Sequence, residues 1–125
     1  MEEHEIYSTV GEDGFTRLVG AFYRQVPTDE ILGAMYSRQD LAGAEQRLRD
    51  FLIYRFGGPQ RYLENRGHPR LRMRHAPFSV DSAARDRWLA LMAKALEESQ
   101  FPPDATAILW AYFESTADAM RNRPD

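Results

Sequence analysis

Apolar side chains in this 125-residue chain recur at helical spacing almost everywhere, and nowhere alternate as a half-buried strand requires. That periodicity restricts the fold to packed helices, with Gly and Pro marking where each one stops. A short opening piece covers Ile6 to Val10. Phe15, Leu18, Val19, Phe22, Tyr23 and Val26 then form one stripe, which Pro27 interrupts. Thr28 is the expected cap of a short helix carrying Asp29 and Glu30 in its first turn, where negative charge suits the helix dipole. Ser37 and Asp40 have the spacing of a capping box. The helix after them places Leu41, Ala44, Leu48, Phe51 and Leu52 on one face, and Gly57-Gly58-Pro59 stops it.

Residues 57–70, with three Gly and two Pro, read as a long ordered loop. A very short helix from Leu71 to His75 ends before Pro77. Ser79 or Asp81 starts a long helix with Trp88, Leu89, Met92, Ala95 and Leu96 inward. After Pro102-Pro103-Asp104 a last helix turns Ile108, Leu109, Tyr112, Phe113, Thr116 and Met120 inward and ends near Pro124. No repeat or linker divides the chain, so residues 1–125 read as a single all-α domain.

Composition removes several function classes. The chain has no cysteine, which excludes disulfides, zinc–thiolate sites, iron–sulfur clusters and thiolate-ligated haem. A net charge of −3 argues against general nucleic-acid binding. The acidic opening Met-Glu-Glu-His-Glu lacks the layout of a secretory signal, and no apolar run approaches the ~18 residues of a membrane span. The expectation is a cytoplasmic protein with no nucleic-acid or membrane partner.

One segment fits a plain bundle poorly. From Arg66 to Phe78, five Arg or His side chains between His68 and His75 sit beside Leu71, Met73 and Phe78. Leu71 and His75 lie one turn apart on a helix, so His75 shares an apolar face while Arg70, Arg72 and Arg74 project elsewhere. Three readings follow from the residues alone. His75 is a satisfied core histidine, or the arginines bind phosphate or RNA, or a neutral imidazole ligates haem iron with arginine on the propionates. The second is the weakest, because no stacking aromatics interleave the arginines.

The run Gly67-His68-Pro69-Arg70-Leu71-Arg72-Met73-Arg74-His75-Ala76-Pro77-Phe78 resembles the segment around the proximal histidine of the truncated haemoglobins, in particular their second group, the O-type globins. Asp40-Leu41-Ala42-Gly43-Ala44-Glu45-Gln46-Arg47-Leu48, Gly57-Gly58-Pro59, Phe22-Tyr23 and Trp88 match in order and spacing. The family often has a Gly-Gly pair between its first two helices. This chain has Gly11-Glu12-Asp13-Gly14 there, which leaves the geometry of that turn open.

The resemblance implies a truncated globin, a two-over-two helical sandwich around haem b (iron protoporphyrin IX), with His75 as proximal ligand. It places Tyr23, Tyr36, Ala44, Leu48 and Trp88 on the distal side, with Tyr23, Tyr36 and Trp88 as hydrogen-bond donors to a bound diatomic ligand. Arg47, Tyr62, His68 and Arg74 are its candidates for the cofactor's edge. The implied function is binding of dioxygen and other diatomic ligands, for storage, delivery or sensing, with slow oxygen release. The alternative is a redox enzyme of the nitric-oxide dioxygenase or peroxidase type, served by an external reductase because the chain has no G-x-G-x-x-G motif. A haem-free helical module that binds a partner through its arginines is the third possibility. Monomer and homo-oligomer both remain open.

Overall fold

A computed structural model describes residues 1–36 and 38–124. Among the described residues seven α-helices follow one another: α1 (Ile6–Gln25), α2 (Leu32–Met35), α3 (Leu41–Arg55), α4 (Arg61–Arg66), α5 (Leu71–His75), α6 (Ser82–Ser99) and α7 (Pro103–Ala119). No strand occurs among the described residues. Helix α1 packs across both α3 and α6, and α6 packs along α7, so two helix pairs stack into the two-over-two globin sandwich. None of the helices that the described residues form is long and apolar enough to cross a membrane.

The stripe read from the sequence makes the centre. Phe15, Leu18, Val19, Phe22 and Val26 are fully buried and Tyr23 nearly so, joined by Leu52, Met92, Leu109 and Phe113 from α3, α6 and α7. Helix α1 is bent at Gly11, where φ 73° and ψ 175° break the helical run. A side chain there would meet steric strain that glycine avoids. One glycine thus makes the turn for which the family often uses a pair. At the far end of α3, Gly57 has φ 100°, and a Cβ on it would run into the carbonyl of His4.

Three boundaries differ from the sequence expectation, and a fourth, at the start of α6, falls on Asp81, one of the two residues expected there. Residues 57–70 are not all loop, because α4 forms within them. Asp29, not Thr28, caps the short helix: its Oδ2 accepts from the Ile31 and Leu32 amides at 3.0 and 2.8 Å. Asp81 caps α6, its Oδ1 accepting from the Ala84 amide at 2.9 Å. Helix α7 stops at Ala119, and the tail beyond it folds back onto Val80. Ser37 lies outside the described residues; its expected partner Asp40 stands at the N-cap of α3.

Candidate functional site

Three of the sequence-predicted residues converge although they lie on separate elements. Tyr23 comes from α1, Tyr36 ends α2, and Trp88 sits in the second turn of α6. The Tyr23 hydroxyl and the Trp88 indole N–H both converge on the Tyr36 hydroxyl. The tyrosine rings meet edge to face at 5.6 Å, and Phe22 touches both Tyr23 (5.0 Å) and Trp88 (5.3 Å). Trp88 leans on Phe113 at 5.6 Å, so α7 backs the indole. Burial pushes the Tyr23 and Tyr36 phenols above their ordinary value. For Tyr36 the two donated bonds oppose burial without cancelling it. Both phenols therefore keep their protons at neutral pH. The three residues that the sequence suggested as donors are gathered at one point, with Tyr23 and Trp88 directed at Tyr36.

What holds Tyr36 there was missed in the sequence. A four-residue helix does not sustain itself. Asp29 caps α2, while its Oδ1 takes the Arg87 guanidinium of α6 at 2.8 Å. Arg87 adjoins Trp88, so one helix both secures α2 and supplies the indole. Burial alone would raise the Asp29 carboxyl, but the Leu32 amide, Arg87 and the Ile31 amide together hold it below the ordinary carboxylate value. Its contribution is present above pH ~4 and fades as pH falls through the lowered folded value, because the unfolded chain takes up the proton first. Asp29→Ala should cost about 1–2 kcal/mol of stability and flatten that part of the acid-unfolding curve. Equal denaturant midpoints at pH 7 for the variant and the parent would refute this role.

His75 ends α5, half-buried, with Nδ1 2.7 Å from the carbonyl oxygen of Leu71. A carbonyl only accepts, so Nδ1 carries the hydrogen, and in the neutral ring Nε2 is left with its lone pair. That is the tautomer a metal ligand needs. No residue of α5 is buried. Among the described residues the exposed large apolar side chains are Met1, Met73 and Phe78, and two of these flank His75. An apolar face around an imidazole with a lone pair to offer suits a flat hydrophobic cofactor.

A separate cleft of about 580 Å³ is lined by Phe51, Tyr54 and Arg55 of α3, Leu63 of α4, Tyr112 of α7 and residues 67–69. That volume is in the range of cofactor and ligand sites. His68 is the one predicted residue lining it, and His75 is not among the lining residues. The remaining predictions scatter. Tyr62 is buried, edge to face with Phe51 at 5.3 Å. Arg74 clamps the preceding loop, Nε to the Pro69 carbonyl at 2.7 Å and Nη2 to those of Arg66 (2.8 Å) and His68 (3.2 Å). Arg47 pairs with Asp40 at 2.6 Å. Ala44 and Leu48 are half-buried against the core.

Comparison with known proteins agrees with this architecture. Residues 5–122 match the bacterial-like globin family. The chain is 32% identical over 119 residues to the group 2 truncated haemoglobin YjbI of Bacillus subtilis, covering 95% of this chain and 89% of that one. Among solved structures, a thermostable haemoglobin from Thermobifida fusca superposes with a TM-score of 0.92 at 46% identity, covering 96% of this chain and 98% of that chain. The truncated oxygen-avid haemoglobin of B. subtilis superposes at 0.89 with 32% identity, covering 94% and 98%. A helical sandwich with this histidine motif and this kinship has one assignment: the chain belongs to the bacterial-like globins, as a truncated haemoglobin of the second group.

Proposed function

We propose that this globin binds dioxygen tightly at a haem b held by His75, with Tyr36 as the side chain that donates to the ligand. The family implies haem and a diatomic ligand. With no cysteine for a thioether link, the cofactor is non-covalent haem b. Once held, haem supplies a ferrous iron with a position open to small gases.

The reading is carried by the Tyr36 hydroxyl. Tyr23 and Trp88 both approach it, and a phenol hydroxyl that accepts from them keeps its single proton for a further acceptor. Tyr23 and Trp88 polarise that O–H toward a further acceptor, and burial strengthens the donation. Ala44 and Leu48 cover the ligand side from α3. At the cofactor's edge, Tyr62, His68 and Arg74 serve the propionates. Arg74 still has the Nη1 hydrogens beyond those on its three carbonyls. Arg47 joins them only by leaving Asp40. A redox activity at the same site would draw its electrons from an external reductase, since no G-x-G-x-x-G motif occurs in this sequence.

The test is the visible spectrum of the purified protein, ferric and then reduced under oxygen or carbon monoxide. An imidazole-ligated haem spectrum that shifts with each gas is expected. A colourless protein indifferent to haemin would overturn the proposal. Trp88→Phe keeps the aromatic body and removes one donor from Tyr36, so oxygen release should quicken; an unaltered off-rate in stopped flow would separate the indole from ligand control. The same donor cluster suits polarising peroxide, which keeps a redox enzyme as the second reading. Peroxidase and nitric-oxide turnover no faster than free haemin would exclude it.

A further inference from the structure

The helix that carries His75 is poorly supported by the rest of the sandwich. It has five residues, none buried, and α5 makes no broad contact with another helix among the described residues. Past its last turn the Ala76 and Phe78 amides close back on the Met73 and His75 carbonyls at 3.2 and 2.9 Å, bonds that stay within the same short segment. Something outside α5 must locate its C-terminal end.

That end is tied to the tail of the chain. Asn122 Nδ2 donates to the His75 carbonyl at 3.1 Å and to the Phe78 carbonyl at 3.0 Å. Its Oδ1 accepts from the Val80 amide at 2.9 Å. Its own amide donates to the Val80 carbonyl, also at 2.9 Å, and the Arg123 amide shares that acceptor at 3.3 Å. All hydrogen-bonding groups of one amide side chain are thus engaged on residues 75–80, across 47 positions of sequence. Amide geometry explains the choice. Both an NH₂ and an oxygen are needed, which Asp, Ser and His do not provide at this length.

We infer that Asn122 is a positioning residue for the proximal ligand: it fixes the backbone at His75, while the Leu71 carbonyl fixes the ring. The inference rests on His75 being the iron ligand. Two anchors, one on the main chain and one on Nδ1, leave the imidazole little freedom to swing, so Nε2 is presented at one height and tilt. Loss of the Asn122 anchor leaves the ring hydrogen bond in place but lets the whole helix end move.

The test uses the haem-loaded full chain with Asn122→Ala and Asn122→Asp, and His75→Ala for reference. Asn122→Asp keeps the acceptor for Val80 and loses both donors, so it reports on the donors even where the alanine variant folds poorly. The readouts are the iron–imidazole stretching band in the ferrous, ligand-free resonance Raman spectrum and the rate of haem transfer to excess apomyoglobin. Both variants should lose haem about tenfold faster, the scale of two lost hydrogen bonds. Their iron–imidazole band should broaden and move to lower frequency, a change that general destabilisation does not produce. A parental band and transfer rate in both variants, with the band absent in His75→Ala, would overturn the inference while leaving the ligand assignment intact. A band that persists in His75→Ala would overturn both.

Discussion

Replacing His75 with alanine should abolish stoichiometric haem binding. The side chain is half-buried and belongs to no packed core cluster, so the fold should survive nearly unchanged. What disappears is the Nε2 lone pair that the Leu71 hydrogen bond leaves available. Titration with haemin should change from a sharp one-to-one endpoint to weak, non-saturating uptake, and the imidazole-ligated spectrum should vanish. His75→Gly with added imidazole should restore that spectrum, because a free ring replaces the missing donor. An unchanged spectrum in His75→Ala would move the ligand elsewhere and take the functional proposal with it.

The second large effect is at Tyr36. Tyr36→Phe keeps the ring that meets Tyr23 edge to face but removes the hydroxyl on which Tyr23 and Trp88 converge. A hydrogen bond to a charged acceptor contributes roughly 1.5–3 kcal/mol, which corresponds to oxygen dissociation faster by about 10- to 100-fold. The substitution also strands two donors in a buried pocket. It should therefore cost about 1–3 kcal/mol in stability as well, read as a lowered denaturant midpoint. Tyr23→Phe strands nothing comparable, since Tyr36 still receives Trp88. It should destabilise less than Tyr36→Phe. If Tyr36→Phe released oxygen at the parental rate, donation from this hydroxyl would be refuted.

Most of the framework was legible before any tertiary contact was known. The α1 stripe, the inward faces of α6 and α7, and the span of α5 follow from apolar spacing and from Gly and Pro punctuation, both local properties. The errors have local explanations too. Helix α4 hides among glycines and prolines that bracket it without entering it. Asp29 outcompetes Thr28 as a cap because its carboxylate can take two amides and a guanidinium at once. At Gly11, where the sequence left the turn open, a single residue of positive φ bends α1.

By itself the sequence determined every helix but α4, the absence of any thiolate chemistry, and the histidine around which an apolar surface gathers. Those are consequences of residue type and spacing. Tertiary structure alone decided which groups meet: Trp88 and Tyr23 at Tyr36, Arg87 at Asp29, Asn122 at the backbone of His75. A donor's partner is chosen by whichever distant segment the packing brings within about 3 Å, and no spacing along one strand of sequence encodes that approach.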